Sequence, residues 1–353
     1  MRRILLPHHI SDEPAPAGAS LREYGGLSMG TSWSVRLAAD AVAPDLQARL
    51  QQQLDAVVAE MSHWEAGSDL GRFNRAPPGS WHQLPPAFFD VLAFAIGVGR
   101  ESGGAYDPCA GAIVNAWGFG PGGRHDQPGF TAPTAAGIAA LRTARAAQHV
   151  LLDAQGRRAL QPGGVQLDLS AVAKGYSVDR LAHFLLSQGL RHFLVEVGGE
   201  LRGAGMKPDG QPWWVALEQP AGAGAGADGL GAPIALALHG LSVATSGDYR
   251  RFFLHSAQRY PHTIDPRSAV PITNGLASVT VVHPQCMAAD AWSTALTVLG
   301  HESGLALAER MGLAARFVVR KDGDAGFTEY LSSQMRGMLD DEQDQQDQQD
   351  ERT

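Results

Sequence analysis

Between Gln166 and Asp179 the chain reads QLDLSAVAKGYSVD, and this stretch narrows the possible folds more than any other. A β-favouring run, Val165-Gln166-Leu167-Asp168-Leu169, stops at Ser170 and gives way to small residues, then to a lysine beside a glycine. Val178, Leu181, Ala182, Leu185 and Leu186 recur at helical spacing, and Gly189 supplies a C-terminal stop. A strand, a tight turn and a helix N-terminus together make a place where backbone groups can approach a phosphate or a metal. Asp168, Ser170 and Lys174 fall where side chains can converge on a ligand. An ordinary strand-to-helix connection with an exposed lysine fits the same residues, so the segment alone leaves both readings open.

Around this strand–helix–strand unit the patterns are hairpin-like, which predicts an α+β fold rather than a doubly wound α/β fold. Residues 28–38 alternate as a strand, and Ala43 to Met61 reads as a helix with Leu46, Leu50, Leu54, Val57, Val58 and Met61 on one face. Gly67 to Asn74 reads as a turn-rich link and Pro86 to Ser102 as a helix closed by Gly103-Gly104. Tyr106 to Gly120 is glycine-studded and aromatic, Pro121 to Thr134 a loop, and Thr134 to Ala147 a helix. Strands are expected within 149–169, at His192–Val197, 213–218, 234–238, 242–245, 250–254 and 276–282, with a flexible glycine/alanine loop at 221–232. A helix at about 288–299 and a helix-then-strand at 303–320 complete one domain over 24–335. Residues 1–23 are read as a poorly ordered Pro/Ala-rich leader and 336–353 as a disordered acidic, glutamine-rich tail.

Charge and cysteine use set bounds. The formal net charge of the 353-residue chain is −8, but Asp340 to Thr353 carries −6 of it, so the folded part is nearly neutral. No basic stripe is present, which argues against nucleic acid as a partner. Cys109 and Cys286 are the only cysteines, neither a disulfide framework nor a Cys-x-x-Cys pair, and both read as small core residues. Near the start, Ile4-Leu5-Leu6 is a three-residue apolar run before Pro7, too short for a secretory segment, and no cysteine lies nearby for lipidation. No stretch approaches the roughly 18 apolar residues of a membrane span. As the sequence stands, the expectation is a soluble, cytoplasmic protein; a different start would make a periplasmic or inner-membrane lipoprotein.

Other segments can carry chemistry. Asp290 and Thr294 lie four residues apart on a predicted helix, so a carboxylate and a hydroxyl face the same way. Such hard oxygen donors suit Mg²⁺, although an acidic residue in a first helical turn also favours the helix dipole. His262 precedes Asp265 by three residues in an extended segment, and an imidazole with a pKa near the working pH can act as a general base. A lone histidine among 13 is also a common structural residue. Thr245 to Tyr249 reads as a turn whose glycine frees the backbone for a ligand, and Gly198-Gly199 and Gly25-Gly26 can do likewise. No G-x-x-x-x-G-K-[ST] run, no G-x-G-x-x-G opening a helix and no G-x-S-x-G elbow occurs, which sets aside a P-loop, a Rossmann site and a serine hydrolase.

Eight blocks in order then resemble one family: MGTSWSV (29–35), MSHWEAGSDLGRFN (61–74), GGAYDPCAGAIVNAWGFG (103–120), LDLSAVAKGYSVD (167–179), FLVEVGGELRGAG (193–205), ATSGDYRRFF (244–253), HTIDPRSAVPI (262–272) and SVTVVHPQCMAADAWSTALTVLG (278–300). They resemble the ApbE family, the FAD:protein FMN transferases, over about residues 28 to 330. The resemblance implies a single T-fold-related domain of mixed, largely antiparallel sheets with flanking helices and an active site in a cleft between two lobes. It implies Mg²⁺-dependent transfer of FMN from FAD to a threonine hydroxyl of an acceptor flavoprotein with an FMN-binding domain, releasing AMP. By matching positions, FAD is contacted by Met29, Trp64, Ala105, Tyr106, Asp107, Asp168, Lys174 and Ile264. The metal is held by the carbonyl of Ala171 and the side chains of Asp290 and Thr294, and His262 takes the threonine proton.

Departures from the family pattern are specific. Some members carry glutamate at the position of Lys174, the usual glycine after the H-x-x-D-P-x-[ST] run is Ala269, and Cys109 stands where threonine or another small residue is common. Many relatives are exported lipoproteins, a feature this chain lacks. Two other readings share the motifs: an Mg²⁺-dependent FAD pyrophosphatase giving FMN and AMP, and a non-catalytic FAD-binding protein.

Overall fold

Period-two alternation builds the centre of the molecule. The computed structural model describes residues 3–339 apart from 12, 221–229, 231, 250, 256–257 and 322–325; the glycine/alanine loop lies largely, and the acidic tail from residue 340 wholly, outside these. Eight strands form the main sheet: β1 (Ser20–Ser28), β2 (Thr31–Ala39), β3 (Phe193–Val197), β4 (Glu200–Ala204), β5 (Leu241–Gly247), β6 (Leu276–His283), β7 (Ala314–Arg320) and β8 (Phe327–Leu331). Their order in the sheet follows the chain, and every neighbouring pair is antiparallel. The fold is α+β, as the hairpin patterns predicted.

Each strand sends alternate residues to opposite layers. On one face Val35, Leu37, Phe193, Val195 and Val197 pack against Leu46, Leu50 and Leu54 of α1 (Leu46–Met61) and Val178, Leu181 and Leu185 of α6 (Ala173–Ser187). Val279 and Val281 continue that face onto α7 (Cys286–Met311, broken at Gly300) and α3 (Pro86–Glu101). On the other face Leu194, Val243 and Val282 meet a small sheet of Arg3–Leu5, Ile234–Leu238 and Trp213–Ala216. Each such side chain fully buried contributes roughly 1.5–3 kcal/mol. Leu186, placed by periodicity on the buried face of α6, faces solvent instead.

Several expectations change. Arg3–Leu5, within the supposed loose leader, pairs in parallel with Ile234–Leu238, and Arg3 is held by Glu329. The link Gly67–Asn74 contains a helix, α2 (Asp69–Asn74), capped where Ser68 Oγ accepts from Gly71 N at 2.8 Å. A further short helix, α4 (Gly111–Ala116), lies inside the glycine-studded segment, and α5 (Ala135–Ala146) follows. Gly25 and Gly26 lie within β1, where an added Cβ would collide with Trp33, so close strand packing rather than a ligand accounts for them. Thr245 to Gly247 ends β5 rather than forming a turn.

Val165–Leu169 is not a ladder strand. It makes one parallel bridge, Gln166 to Ala110. Side-chain amides do the work of a neighbouring strand: Asn74 bonds both N and O of Leu167 at 2.7 and 2.9 Å, and Gln161 bonds both N and O of Val165. Buried backbone groups need such partners, and here two amides supply them.

An acidic side chain joins α6 to the start of α7 and sets how the two helices cross. Asp179, one turn beyond Gly175 on α6, accepts from the N–H groups of Cys286 and Met287 at 3.0 and 2.9 Å and pairs with Arg202. It thereby satisfies the first donors of α7, which has no cap of its own. Replacing Asp179 by Ala strands two buried N–H groups and a guanidinium, and we expect a loss of about 2–4 kcal/mol in urea unfolding; a loss below about 0.5 kcal/mol would show that water takes over this role.

Candidate active site at the crossing of α6 and α7

Gly175 lets the two helices touch. A Cβ there would lie 2.4 Å from the Cys286 carbonyl oxygen and 2.8 Å from Asp290 Cβ. Because the backbones meet, Gly175 N–H donates to Asp290 Oδ2 at 2.9 Å. That N–H lies four residues after Ala171, so the Ala171 carbonyl loses the partner a regular helix would give it. Three residues singled out in the sequence, Ala171, Lys174 and Asp290, are thus tied to one helix crossing although 115 positions separate Gly175 from Asp290.

A buried charge cluster sits on this crossing. Lys174 Nζ pairs with Glu200 Oε1, and Glu200 is only 3 % exposed. Its Oε2 is buried with no hydrogen-bond partner among the described residues. Burial pushes the Glu200 carboxyl up, the nearby Asp290 charge adds to this, and Lys174 opposes it. Burial likewise raises Asp290, against the pull of Lys174 and the Gly175 N–H. Two desolvated carboxylates sharing one ammonium favour a further cation. Beside Asp290, Thr294 Oγ1 and Ser293 Oγ both bond Ser246 Oγ, at 2.9 and 2.8 Å.

Tyr106 joins this cluster to the Asp168 side. Its hydroxyl is buried without a partner among the described residues, and burial, then the charges of Asp290, Asp168 and Asp107, push the phenol well above its ordinary value. Asp168 accepts from Ser170 N at 2.8 Å and lies 3.5 Å from His63 Nδ1. The Trp64 ring, next to His63, is 43 % exposed, so it is not a core residue. Asp107 is held by Arg145, with Nη2 to Oδ1 at 2.7 Å, and caps Cys109 N.

Two hairpin tips stand at the same end of the sheet. Met29-Gly30 joins β1 to β2 with φ of 51° and 72°, the double positive φ of a type I′ turn. A bulky residue is strained there, yet Met29 is retained with its sulfur accepting from Ser177 Oγ on α6 at 3.5 Å. Gly198-Gly199 joins β3 to β4 with φ of 64° and 100° and delivers Glu200 directly after it. Gly198 N bonds the Ser32 carbonyl at 3.0 Å, which locks the tips together.

His262 approaches from another direction. Nδ1 donates to the Arg251 carbonyl at 3.0 Å, which leaves Nε2 as the bare nitrogen. The half-buried ring lies edge-on to Phe119, with centroids 6.3 Å apart. Burial lowers its pKa to about 4, opposed by the Arg251 carbonyl and aided by the charges of Arg251 and Lys174. His262 is therefore held in its neutral form at neutral pH.

Ala105 and Ile264 are buried in separate apolar clusters, at 1 % and 8 % exposure, so only their backbone groups are left for a ligand. Ala269 adopts φ 58°, the left-handed conformation a glycine prefers, while its carbonyl accepts from Trp117 Nε1 at 2.8 Å. Both cysteines are free and buried, and burial pushes the Cys109 thiol up to about 12. Glu200 and Asp179 were not singled out from the sequence, and Ser246 only as part of the Thr245–Tyr249 segment; for Glu200 the one available signal was an acidic residue directly after a paired-glycine hairpin tip. No group of three or more His, Cys, Asp or Glu side chains suited to a metal occurs among the described residues, so any cation here would rely on mixed oxygen donors.

A sequence model described as the ApbE family matches residues 29–317. The FAD:protein FMN transferase of Klebsiella pneumoniae (strain 342) is 36% identical over 332 residues, covering 92% of this chain and 91% of that protein. The FAD:protein FMN transferase of Salmonella typhimurium is 35% identical, with 95% and 94% covered. Among solved structures, the apo flavinyl transferase ApbE of Pseudomonas stutzeri superposes with a TM-score of 0.81 at 37% identity, covering 91% of this chain and 97% of that one. The flavin transferase ApbE of Vibrio cholerae gives 0.81 at 33% identity, with 91% and 100% covered.

The low pKa of His262 has a measurable consequence. Between pH 6.5 and about 4 the unfolded chain binds a proton there that the folded one does not, so stability falls as pH falls through this window. The thermal midpoint of His262→Gln should decline less than that of the wild type over the same range. Parallel declines would show that the folded-state imidazole is not depressed.

Proposed function

Because this chain belongs to the ApbE family, we propose that it cleaves FAD at the pyrophosphate and transfers the FMN half to an acceptor flavoprotein, releasing AMP. The observation that carries the reading is the α6–α7 crossing, where the Lys174 ammonium and the buried carboxyls of Glu200 and Asp290 converge, with Glu200 Oε2 lacking a partner among the described residues. A pyrophosphate undergoing cleavage needs positive charge, which this cluster would present once a divalent cation joins Lys174 among the carboxylates.

The residues fit Mg²⁺. Asp290 uses one carboxylate oxygen on Gly175, leaving Oδ1 without a hydrogen bond among the described residues; Thr294 Oγ1 and the Ala171 carbonyl are hard oxygen donors. These three would hold the ion, which when bound supplies charge neutralisation at the breaking pyrophosphate. Lys174 would add its ammonium on the same substrate. Trp64 offers an exposed flat ring for stacking, and Met29, the Ala105-Tyr106-Asp107 run, Asp168 and Ile264 would line the remainder.

In the transfer itself, the oxygen of an acceptor threonine bonds to the FMN phosphorus. The bond from that phosphorus to the bridging oxygen breaks, and AMP leaves with that oxygen. The hydroxyl proton goes to His262 Nε2, the nitrogen left bare by the Nδ1 bond to Arg251. The negative pyrophosphate raises the basicity of a histidine that burial has lowered.

The test is intact-mass analysis of a flavin-free acceptor flavoprotein after incubation with enzyme, FAD and Mg²⁺. Covalent FMN on the acceptor with AMP in equal amount is expected. FMN and AMP free in solution, with no labelled acceptor, would identify the pyrophosphatase instead, and tight FAD binding without AMP a binding protein. Asp290→Asn keeps an oxygen for Gly175 N–H but removes the charge. It should lose on the order of 10²-fold or more in turnover and lose Mg²⁺ binding by calorimetry while melting near the wild-type temperature. Undiminished Mg²⁺ binding would remove Asp290 from the metal site.

A further inference from the structure

Three hydroxyls follow one another beside Asp290. Ser246, near the end of β5, stands on the sheet face that also carries Ala244, two residues earlier, which is buried in the core under α7. Ser246 Oγ lies 2.9 Å from Thr294 Oγ1 and 2.8 Å from Ser293 Oγ. Ser293 is wholly buried, and its Oγ lies 2.8 Å from the Asp290 carbonyl oxygen, one turn back on the same helix. Neither contact between hydroxyls fixes by itself which oxygen donates.

The carbonyl sets the direction. It can only accept, so the Ser293 proton is committed to it; with that proton turned elsewhere, two oxygens would face each other at 2.8 Å with no hydrogen between them. A hydroxyl has one proton, so Ser293 Oγ accepts from Ser246. The Ser246 proton is thereby committed as well, and Ser246 Oγ accepts from Thr294. The hydrogen bonds run one way, from Thr294 to Ser246 to Ser293 to the Asp290 carbonyl, and each link polarises the next. On the side of Thr294 Oγ1 away from Ser246, only lone pairs remain.

A threonine within a helix can instead give its proton to the carbonyl four residues back. Thr297 does this, with Oγ1 donating to the Ser293 carbonyl at 2.7 Å. The Thr294 proton is drawn across to the sheet, where the β5–β6 ladder holds Ser246 opposite Val279. The difference matters to a cation. Mg²⁺ binds oxygen lone pairs in near-ideal octahedral geometry, and an O–H turned toward the ion would oppose it.

We propose that Ser246 is a positioning residue for the divalent cation: by taking the Thr294 hydroxyl proton, it leaves Thr294 Oγ1 as a pure acceptor for the metal. The proposal rests on the assignment of Mg²⁺ to Asp290 and Thr294 and adds what orients one of those ligands. Ser246 acts through Thr294, in the manner of the outer hydrogen-bond partners that orient metal ligands elsewhere.

The test is calorimetric titration of the full chain with Mg²⁺, comparing Ser246→Ala, which removes the acceptor, with Ser246→Thr, which keeps it, and recording each thermal midpoint without metal. Ser246→Ala should weaken Mg²⁺ binding about tenfold or more while melting within about 4 °C of the wild type. Ser246→Thr should recover most of that loss. In AMP release, Ser246→Ala should raise the KM for Mg²⁺ by the same factor and leave the KM for FAD at saturating Mg²⁺ unmoved. Wild-type Mg²⁺ affinity in Ser246→Ala, while Asp290→Asn loses binding, overturns the role of Ser246 and leaves the metal assignment intact. Equal weakening in the Ala and Thr variants, or a matching drop in the metal-free midpoint, assigns Ser246 to packing rather than to hydroxyl orientation and also overturns the proposal. A wild type that binds no Mg²⁺ overturns both.

Discussion

The contact on which the candidate site depends is the close approach of α6 to α7 at Gly175. Helices with ordinary side chains at their contact pack 8–10 Å apart; a glycine at the crossing lets a backbone N–H of one helix reach a carboxylate of the other. Asp179, one turn on, completes the join by serving as the acceptor that the α7 N-terminus lacks within its own sequence. The two acidic residues therefore work in opposite senses. Asp179 is fully used, by two N–H groups and Arg202. Asp290 accepts only from the Gly175 N–H and feels the charge of Lys174.

That incomplete satisfaction is costly to the free protein. Buried carboxylates are tolerated when paired and hydrogen-bonded, yet Glu200 Oε2 and the Tyr106 hydroxyl find no partner among the described residues, and Asp290 and Glu200 are both pushed up by burial. Met29 and Ala269 add backbone strain, each at a positive φ. Departures of this kind concentrate where a ligand completes the structure. Asp290 sits on the crossed helices, and Met29 and Glu200 at the two interlocked hairpin tips.

Local pattern revealed much of this and missed a definable part. The faces of α1 and α6 were legible because helical periodicity reports burial directly, and Asp290 with Thr294 was legible because spacing by four is a local property. Glu200 was invisible because its partner lies 26 residues away and its significance is the absence of a second one. Val165–Leu169 has strand composition but no strand neighbour, since Asn74, 93 residues earlier, supplies the partner through its side chain. Period and propensity describe what a segment offers; they do not say whether a strand or an amide accepts it. Leu186 fell at the helical spacing of its buried neighbours, but the apolar stripe was narrower than the spacing allowed. The family resemblance supplied roles for residues, such as Ala171, whose side chain carries no signal at all.

The two halves of the proposed chemistry are anchored differently, and this has consequences for specificity. Lys174, Asp290 and Glu200 stand on the crossed helices and the main sheet, held through backbone contacts that a substitution cannot easily tune. His262 stands after a hairpin fastened by aromatic stacking and by the contact of Arg259 with Asp248, outside the ladder of the main sheet. Cleaving a pyrophosphate is the same task for every acceptor, which suits the rigid half. Delivering one particular hydroxyl, and not water, to the bare nitrogen of His262 is the task that differs between acceptors.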